Sequence, residues 1–176
     1  MSATNLVPGW LLDRFNTLYR QPYDISSYRD VINTMLTALF PTTKRFIVKP
    51  LPIRELSQGR STNTDGNLDF LVCIRTPTLH ADVPFLIYAM KRDNEDEAVS
   101  QMYMERYIQW ARRYQGRVSP WTRIEVVGVM VMGARSQVYN LAPDADFISS
   151  SRNVDTASNQ IFEILRDLHD FHASSR

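Results

Sequence analysis

Through the first part of the chain apolar residues recur three and four apart; further on they gather into short, nearly continuous blocks. Trp10, Leu11, Leu12, Phe15, Leu18 and Tyr19 follow Pro8-Gly9 and predict a short amphipathic helix that Gln21-Pro22 ends, so residues 1–22 form an N-terminal helical extension. Ser26 or Ser27 stands where an N-cap is needed for a second helix, which carries Tyr28, Val31, Ile32, Met35, Leu36 and Leu39 on one face and stops before Pro41. Arg45 to Lys49 is a short β-prone run, and Pro50 and Pro52 bar it from continuing as a central strand. Gly59, Asn63, Asp65 and Gly66 give the stretch from Ser57 to Asn67 the chemistry of a loop.

Two apolar runs follow, Asp69 to Ile74 and Phe85 to Met90, and the polar connection between them, with Pro77 and Pro84, predicts adjacent antiparallel strands. From about Glu95 to Tyr114 the period turns helical. Val99, Tyr103, Tyr107, Trp110 and Tyr114 lie along one stripe, with Gln101, Glu105 and Arg112 beside it. Ile124 to Met132 is apolar almost throughout, as a strand buried on both faces requires, and so predicts the centre of the sheet. Arg135 to Leu141 predicts one more strand. Asp155 or Thr156 is placed to cap a C-terminal helix over 155–172 that turns Ile161, Phe162, Ile164, Leu165, Leu168 and Phe171 inward. With no repeat and no linker, residues 1–176 read as one α/β domain.

Composition narrows the function classes. At 176 residues and 20.4 kDa the chain is long enough to bury roughly 70% of its unfolded surface. Its 20 basic and 19 acidic residues nearly cancel, so any nucleic-acid surface has to be local rather than a global field. Cys73, between Val72 and Ile74, has no partner for a disulfide and reads as a core residue in a reducing compartment. There is no basic stretch leading into an apolar run, no block approaching the roughly 20 apolar residues that span a bilayer, and Ser2 rather than glycine follows Met1. The expectation is a soluble intracellular protein of cytoplasm or nucleus, without a membrane partner.

The order helix, strand, strand, strand, long helix, buried strand, from Tyr28 to Met132, resembles the restriction-endonuclease-like αβββαβ core of the PD-(D/E)XK phosphodiesterases, a mixed central sheet flanked by helices. Asp69 opens one strand, Lys91 closes the next, and Gln101 appears in the helix that follows, as in that family. The resemblance implies that the aspartate and a glutamate two residues before the lysine hold magnesium while the lysine orients water. Here that glutamate position is Ala89, on the same strand face as Lys91. Magnesium asks for an octahedral shell of hard oxygens and is poorly held by one carboxylate.

Some restriction endonucleases of this superfamily similarly carry a small residue there and take a glutamate from the next helix. Glu105 lies fourteen residues after Lys91, close to the spacing such a migrated acid uses. It shares a helix face with Gln101, four residues earlier. Against this stands a plainer reading: Gln101 and Glu105 as solvated helix residues, Asp69 as the end of the turn after Asp65-Gly66, and Lys91 as a surface cation before Arg92 and Asp93. Leu68 replaces the proline that often precedes the family's aspartate. Asp30, near a helix N-terminus that favours a carboxylate anyway, matches the acid the family's first helix often contributes.

His80, His169 and His172 have no metal-ligand spacing with cysteine, and there is no phosphate-binding glycine loop and no nucleophile elbow. Arg112, Arg113, Arg117 and Arg123, interleaved with Trp110, Tyr114 and Trp121, form a candidate patch for phosphate contact and base stacking. In the plainer reading the aromatics belong to the buried stripe and only the arginines face solvent. The acidic run Asp93, Glu95, Asp96 and Glu97 suits a helix start.

Two functions are therefore expected as alternatives. One is a degenerate, non-catalytic PD-(D/E)XK-like module that binds or assembles with protein or nucleic acid and uses no cofactor. The other is a magnesium-dependent nuclease with Asp69 and Glu105 as metal ligands, Lys91 at the attacking water and Gln101 steadying the site. Ala89 favours the first.

Overall fold

Two strands with apolar residues on both faces set the centre of the sheet, and everything else is arranged around them. The computed structural model describes residues 7–51, 69–76, 81–91, 96–118, 123–151 and 153–174. Along these run α1 (Gly9–Tyr19), α2 (Ile25–Leu39), a 3-10 turn (Thr42–Lys44), β1 (Phe46–Leu51), β2 (Asp69–Arg75), β3 (Asp82–Met90), α3 (Glu97–Val118), β4 (Val126–Met132), β5 (Arg135–Leu141), β6 (Ser149–Ser150), β7 (Val154–Asp155) and α4 (Asn159–Ser174). The protein is an α/β fold with a mixed seven-stranded sheet in the order β1-β2-β3-β4-β5-β6, β7 also pairing with β5. β1, β2 and β3 are antiparallel neighbours; β3 and β4 are parallel, joined through α3; β4 and β5 are again antiparallel.

Period-two alternation divides the core. Phe70, Val72, Tyr88, Val127, Val129 and Val138 face α1, α2 and α4. Leu71, Cys73, Ile87, Ala89, Met130 and Tyr139 face α3. Cys73 is buried, and that burial pushes its thiol up to about 12, so it stays protonated and inert. β1 lies at the sheet edge, which is why Pro50 is tolerated inside a strand. Among the described residues no helix is long and apolar enough to cross a membrane.

Several local expectations shift. Asp24, not Ser26 or Ser27, caps α2: its carboxylate accepts from both serine amides and is lowered by the Ser27 hydroxyl and amide. α4 begins at Asn159 and runs to Ser174 rather than spanning 155–172, because Asp155 and Thr156 are already engaged elsewhere. Asp155 Oδ1 accepts from the Tyr19 hydroxyl and the Ala157 amide, and Thr156 Oγ1 donates to the Gly133 carbonyl. Ser158 takes over the cap, its hydroxyl accepting from the Ile161 amide. On α3 the buried stripe is Ser100, Met104, Tyr107, Ile108, Ala111 and Gln115, with Tyr103, Trp110 and Tyr114 on its flanks and Val99 exposed. Of the expected stripe only Tyr107 is buried; the other sheet-facing places are taken by smaller or unbranched side chains that pack against the strands. The loop expected over Ser57 to Asn67, and Trp121, His80, Asp93 and Glu95, lie outside the described residues.

The close approach is sharpest at Gly128 in β4. A Cβ there would stand 2.5 Å from Met104 Sδ and 2.9 Å from Ile108 Cδ1. Both are movable side-chain atoms, so Gly128→Ala is expected to fold but to lose about 1–2 kcal/mol of stability through overpacking, read from urea melts. Stability equal to wild type would mean that α3 has slack against the sheet.

Candidate functional site

The carboxyl ends of the parallel strands β3 and β4 are where an open α/β sheet offers a crevice. Asp69 reaches that end because β2 runs antiparallel to β3 and starts where β3 finishes. It is 3% exposed, and its Oδ1 accepts the Met90 amide at 3.1 Å. Continuing the pairing of Phe70 with Tyr88 by one step sets Asp69 opposite Ala89. Ala89 pairs with Met130 on β4, and Met130 with Gln137 on β5. One cross-strand row on the α3 side therefore reads Asp69, Ala89, Met130, Gln137.

That row decides which expected residues meet. Asp69 and Lys91 come to neighbouring strand ends, as expected, with Lys91 N donating to the Val131 carbonyl at 2.8 Å. Gln101 turns to the opposite end of the row, where its Nε2 donates to Gln137 Oε1 at 3.1 Å. Gln137 Oε1 also accepts from the Tyr139 hydroxyl at 2.8 Å. Burial, and then the negative charges of Glu105 and Glu97, push the Tyr139 hydroxyl up to about 12. Gln101 is thus turned to β5, while Glu105, one helical turn further on, is exposed as the plainer reading expected. From β2 to β5 is three strand spacings of roughly 4.8 Å, about 14 Å. Ala89 and Met130, each 2% exposed, fill the interval.

Among the described residues no three histidine, cysteine, aspartate or glutamate side chains gather closely enough to hold a metal ion. A methyl group and a thioether beside one buried carboxylate are also the wrong donors for magnesium, which takes hard oxygen ligands. Beyond the row, Lys91 lines a cavity of about 180 Å³ with Tyr23, Glu97, Met132 and Arg135, and the Tyr23 hydroxyl donates to the Lys91 carbonyl at 2.7 Å. Asp30 sits on α2, where its carbonyl accepts from the Thr34 hydroxyl.

The arginines separate. Arg113, Arg117 and Arg123 are exposed, with Arg117 lying 5.6 Å over the Tyr114 ring. Arg112 is half-buried and turned inward, its guanidinium donating to the carbonyls of Ile124, Leu141 and Ala142 and to Gln115 Oε1. The expectation that the arginines all face solvent fails at Arg112, because three carbonyls left at the strand ends need a donor.

Sequence reasoning missed the part played by Met130 and Gln137, although the parity of two adjoining strands would have put both on the Ala89 face. It also missed a groove of about 590 Å³ between α4 and the strands β4 and β5. The amphipathic pattern of α4 turned Ile161, Phe162, Leu165 and Leu168 inward as expected, but Phe171 is 64% exposed and His172 takes the buried place beside it, and the pattern did not show that the helix leaves part of the sheet uncovered.

An α/β protein with a mixed sheet and helices is thus the class that fold and site define. No protein family, no curated protein and no solved structure matches the chain.

Proposed function

We propose that the chain is a degenerate PD-(D/E)XK-like domain of restriction-endonuclease-like αβββαβ architecture, acting without catalysis as a binding or assembly module for protein or nucleic acid. The observation that carries this reading is the buried Ala89, packed in one apolar layer with Leu71, Cys73, Ile87 and Met130 where the family's second acid would stand. The element order from α2 to β4, with a helix joining the parallel pair β3 and β4, supports the architecture. A surface for partners is supplied by exposed apolar side chains, Phe147 at 80% and Trp10 at 47%, and by the exposed Arg113, Arg117 and Arg123.

The alternative, a nuclease with Asp69 and Glu105 as metal ligands beside Lys91 and Gln101, keeps one point in its favour. Gln101 bonds Gln137 at the sheet, and Glu105, although exposed, stands near enough for its charge to act on Tyr139. It needs Glu105 to turn from β5 towards β2.

Calorimetric titration with magnesium and manganese separates the two, followed by incubation with single- and double-stranded DNA and RNA. The expected outcome is no saturable binding at millimolar metal and no cleavage. Binding and cleavage by the wild type, both lost in Asp69→Asn and Glu105→Gln, would establish the nuclease instead.

A further inference from the structure

The groove beside α4 has a built character that the sheet-end crevice lacks. Its floor is Val127, Val138 and Leu168, all buried, and its volume of about 590 Å³ falls within the range of small-molecule sites, roughly 300–1,000 Å³. Because so little of each floor residue is open, an occupant has to reach it with a slender apolar group rather than a broad helix face.

The polar groups around that floor are mostly acceptors. Glu125 enters from the start of β4 and Asp167 from α4. The Glu125 carboxylate is held by Asn140, whose Nδ2 donates to its Oε1. That leaves the amide oxygen of Asn140 and the second carboxylate oxygen as further acceptor positions. Phe171 stands at the rim, 64% exposed, and adds the negative face of an aromatic ring. Among the described lining residues Arg123 is the cation against the two carboxylates of Glu125 and Asp167, so the lining keeps a net negative charge. That excess carboxylate and the ring face suit a positive head group.

We propose that this groove binds a small apolar amine, its tail on Val127, Val138 and Leu168 and its ammonium group between Glu125, Asp167 and Phe171. The inference does not depend on the nuclease-like reading, because the groove floor of Val127, Val138 and Leu168 lies on the opposite side of the sheet from Ala89 and Met130.

The test uses methyl and amide NMR shifts of the full chain on titration with 4-phenylbutylamine, 4-phenylbutyrate and an acetylated Leu-Lys-Leu-Lys peptide. The amine is expected to shift the methyls of Val127, Val138 and Leu168 and to bind at least about tenfold more tightly than the carboxylate, the equivalent of about 1.4 kcal/mol for the head group. Asp167→Asn and Phe171→Ala, both exposed positions where the fold is retained, should each weaken the amine several-fold and narrow its advantage. Equal affinity for amine and carboxylate, or no shift at the three methyls, would overturn the proposal. A response to the peptide alone would overturn it in favour of a protein segment.

Discussion

Arg112→Met should lower the unfolding free energy by roughly 3 kcal/mol, with Arg112→Lys recovering less than half of the loss. From α3 the guanidinium bonds carbonyls just before β4 and at the end of β5. Nη1 donates to the Ile124 carbonyl at 2.9 Å and to Gln115 Oε1 at 3.2 Å. Nη2 donates to the Leu141 and Ala142 carbonyls at 2.9 and 2.7 Å. A hydrogen bond from a charged group contributes about 1.5–3 kcal/mol, and because these share one side chain and water reaches part of the site, they do not add in full.

Methionine keeps most of the aliphatic stem and removes the fork, which isolates the polar contribution. Lysine restores the charge but offers a point donor where a planar one fits. Gln115 would lose a partner as well, though its Nε2 still donates to the Pro84 carbonyl at 2.7 Å. Urea melts of the three proteins decide it. A methionine variant as stable as wild type would mean that water replaces the guanidinium at all three carbonyls without loss. The same contacts withdraw Arg112 from any phosphate surface, so a salt dependence of nucleic-acid binding would have to come from Arg113, Arg117 and Arg123.

What the sequence disclosed and what it withheld follow from one distinction. Periodicity reports which face of an element is apolar, and it placed the strands of Asp69, Phe85 and Val126, the burial of Cys73, and the pairing of β2 with β3. It also brought Asp69 and Lys91 to one end of the sheet, since strand direction alone settles that. Periodicity does not report how closely two elements approach. The stripe on α3 was read through its aromatics, yet the close contact at Gly128 is made by Met104 and Ile108, neither of them in that stripe. The same limit applies to the candidate site. The four-residue spacing of Gln101 and Glu105 put them on neighbouring turns, but the rotation of α3, set by packing around Met104 and Ile108, turned Gln101 towards Gln137 and left Glu105 exposed. Hydrogen-bond partners far apart in sequence, such as the three carbonyls of Arg112, have no local signal at all.

Acidification offers the second large effect, through His172. The ring is 3% exposed on α4, packed 4.3 Å from the Phe85 ring centre, and its Nε2 has no hydrogen-bond partner among the described residues. Burial opposes the charged form and pulls the imidazole down to about 4 from 6.5. The unfolded chain takes up a proton below pH 6.5 while the native chain resists until about pH 4. Stability is therefore whole above the unfolded value, falls through this window, and levels off beneath it. The separation corresponds to roughly 3 kcal/mol at 1.36 kcal/mol per pKa unit. Asp24 and Asp82 are both held below the ordinary 3.8, Asp82 despite its burial through hydrogen bonds from Lys49 and Arg75, so their losses come at lower pH and leave the interval to the histidine. His172→Leu removes the titrating group and the unpartnered nitrogen together, so it should match or slightly exceed wild type at pH 7.5 and flatten the slope between pH 6.5 and 4. Urea melts at pH 7.5, 5.5 and 4.5 on both proteins measure it. An unchanged slope in the variant would assign the acid sensitivity to another group.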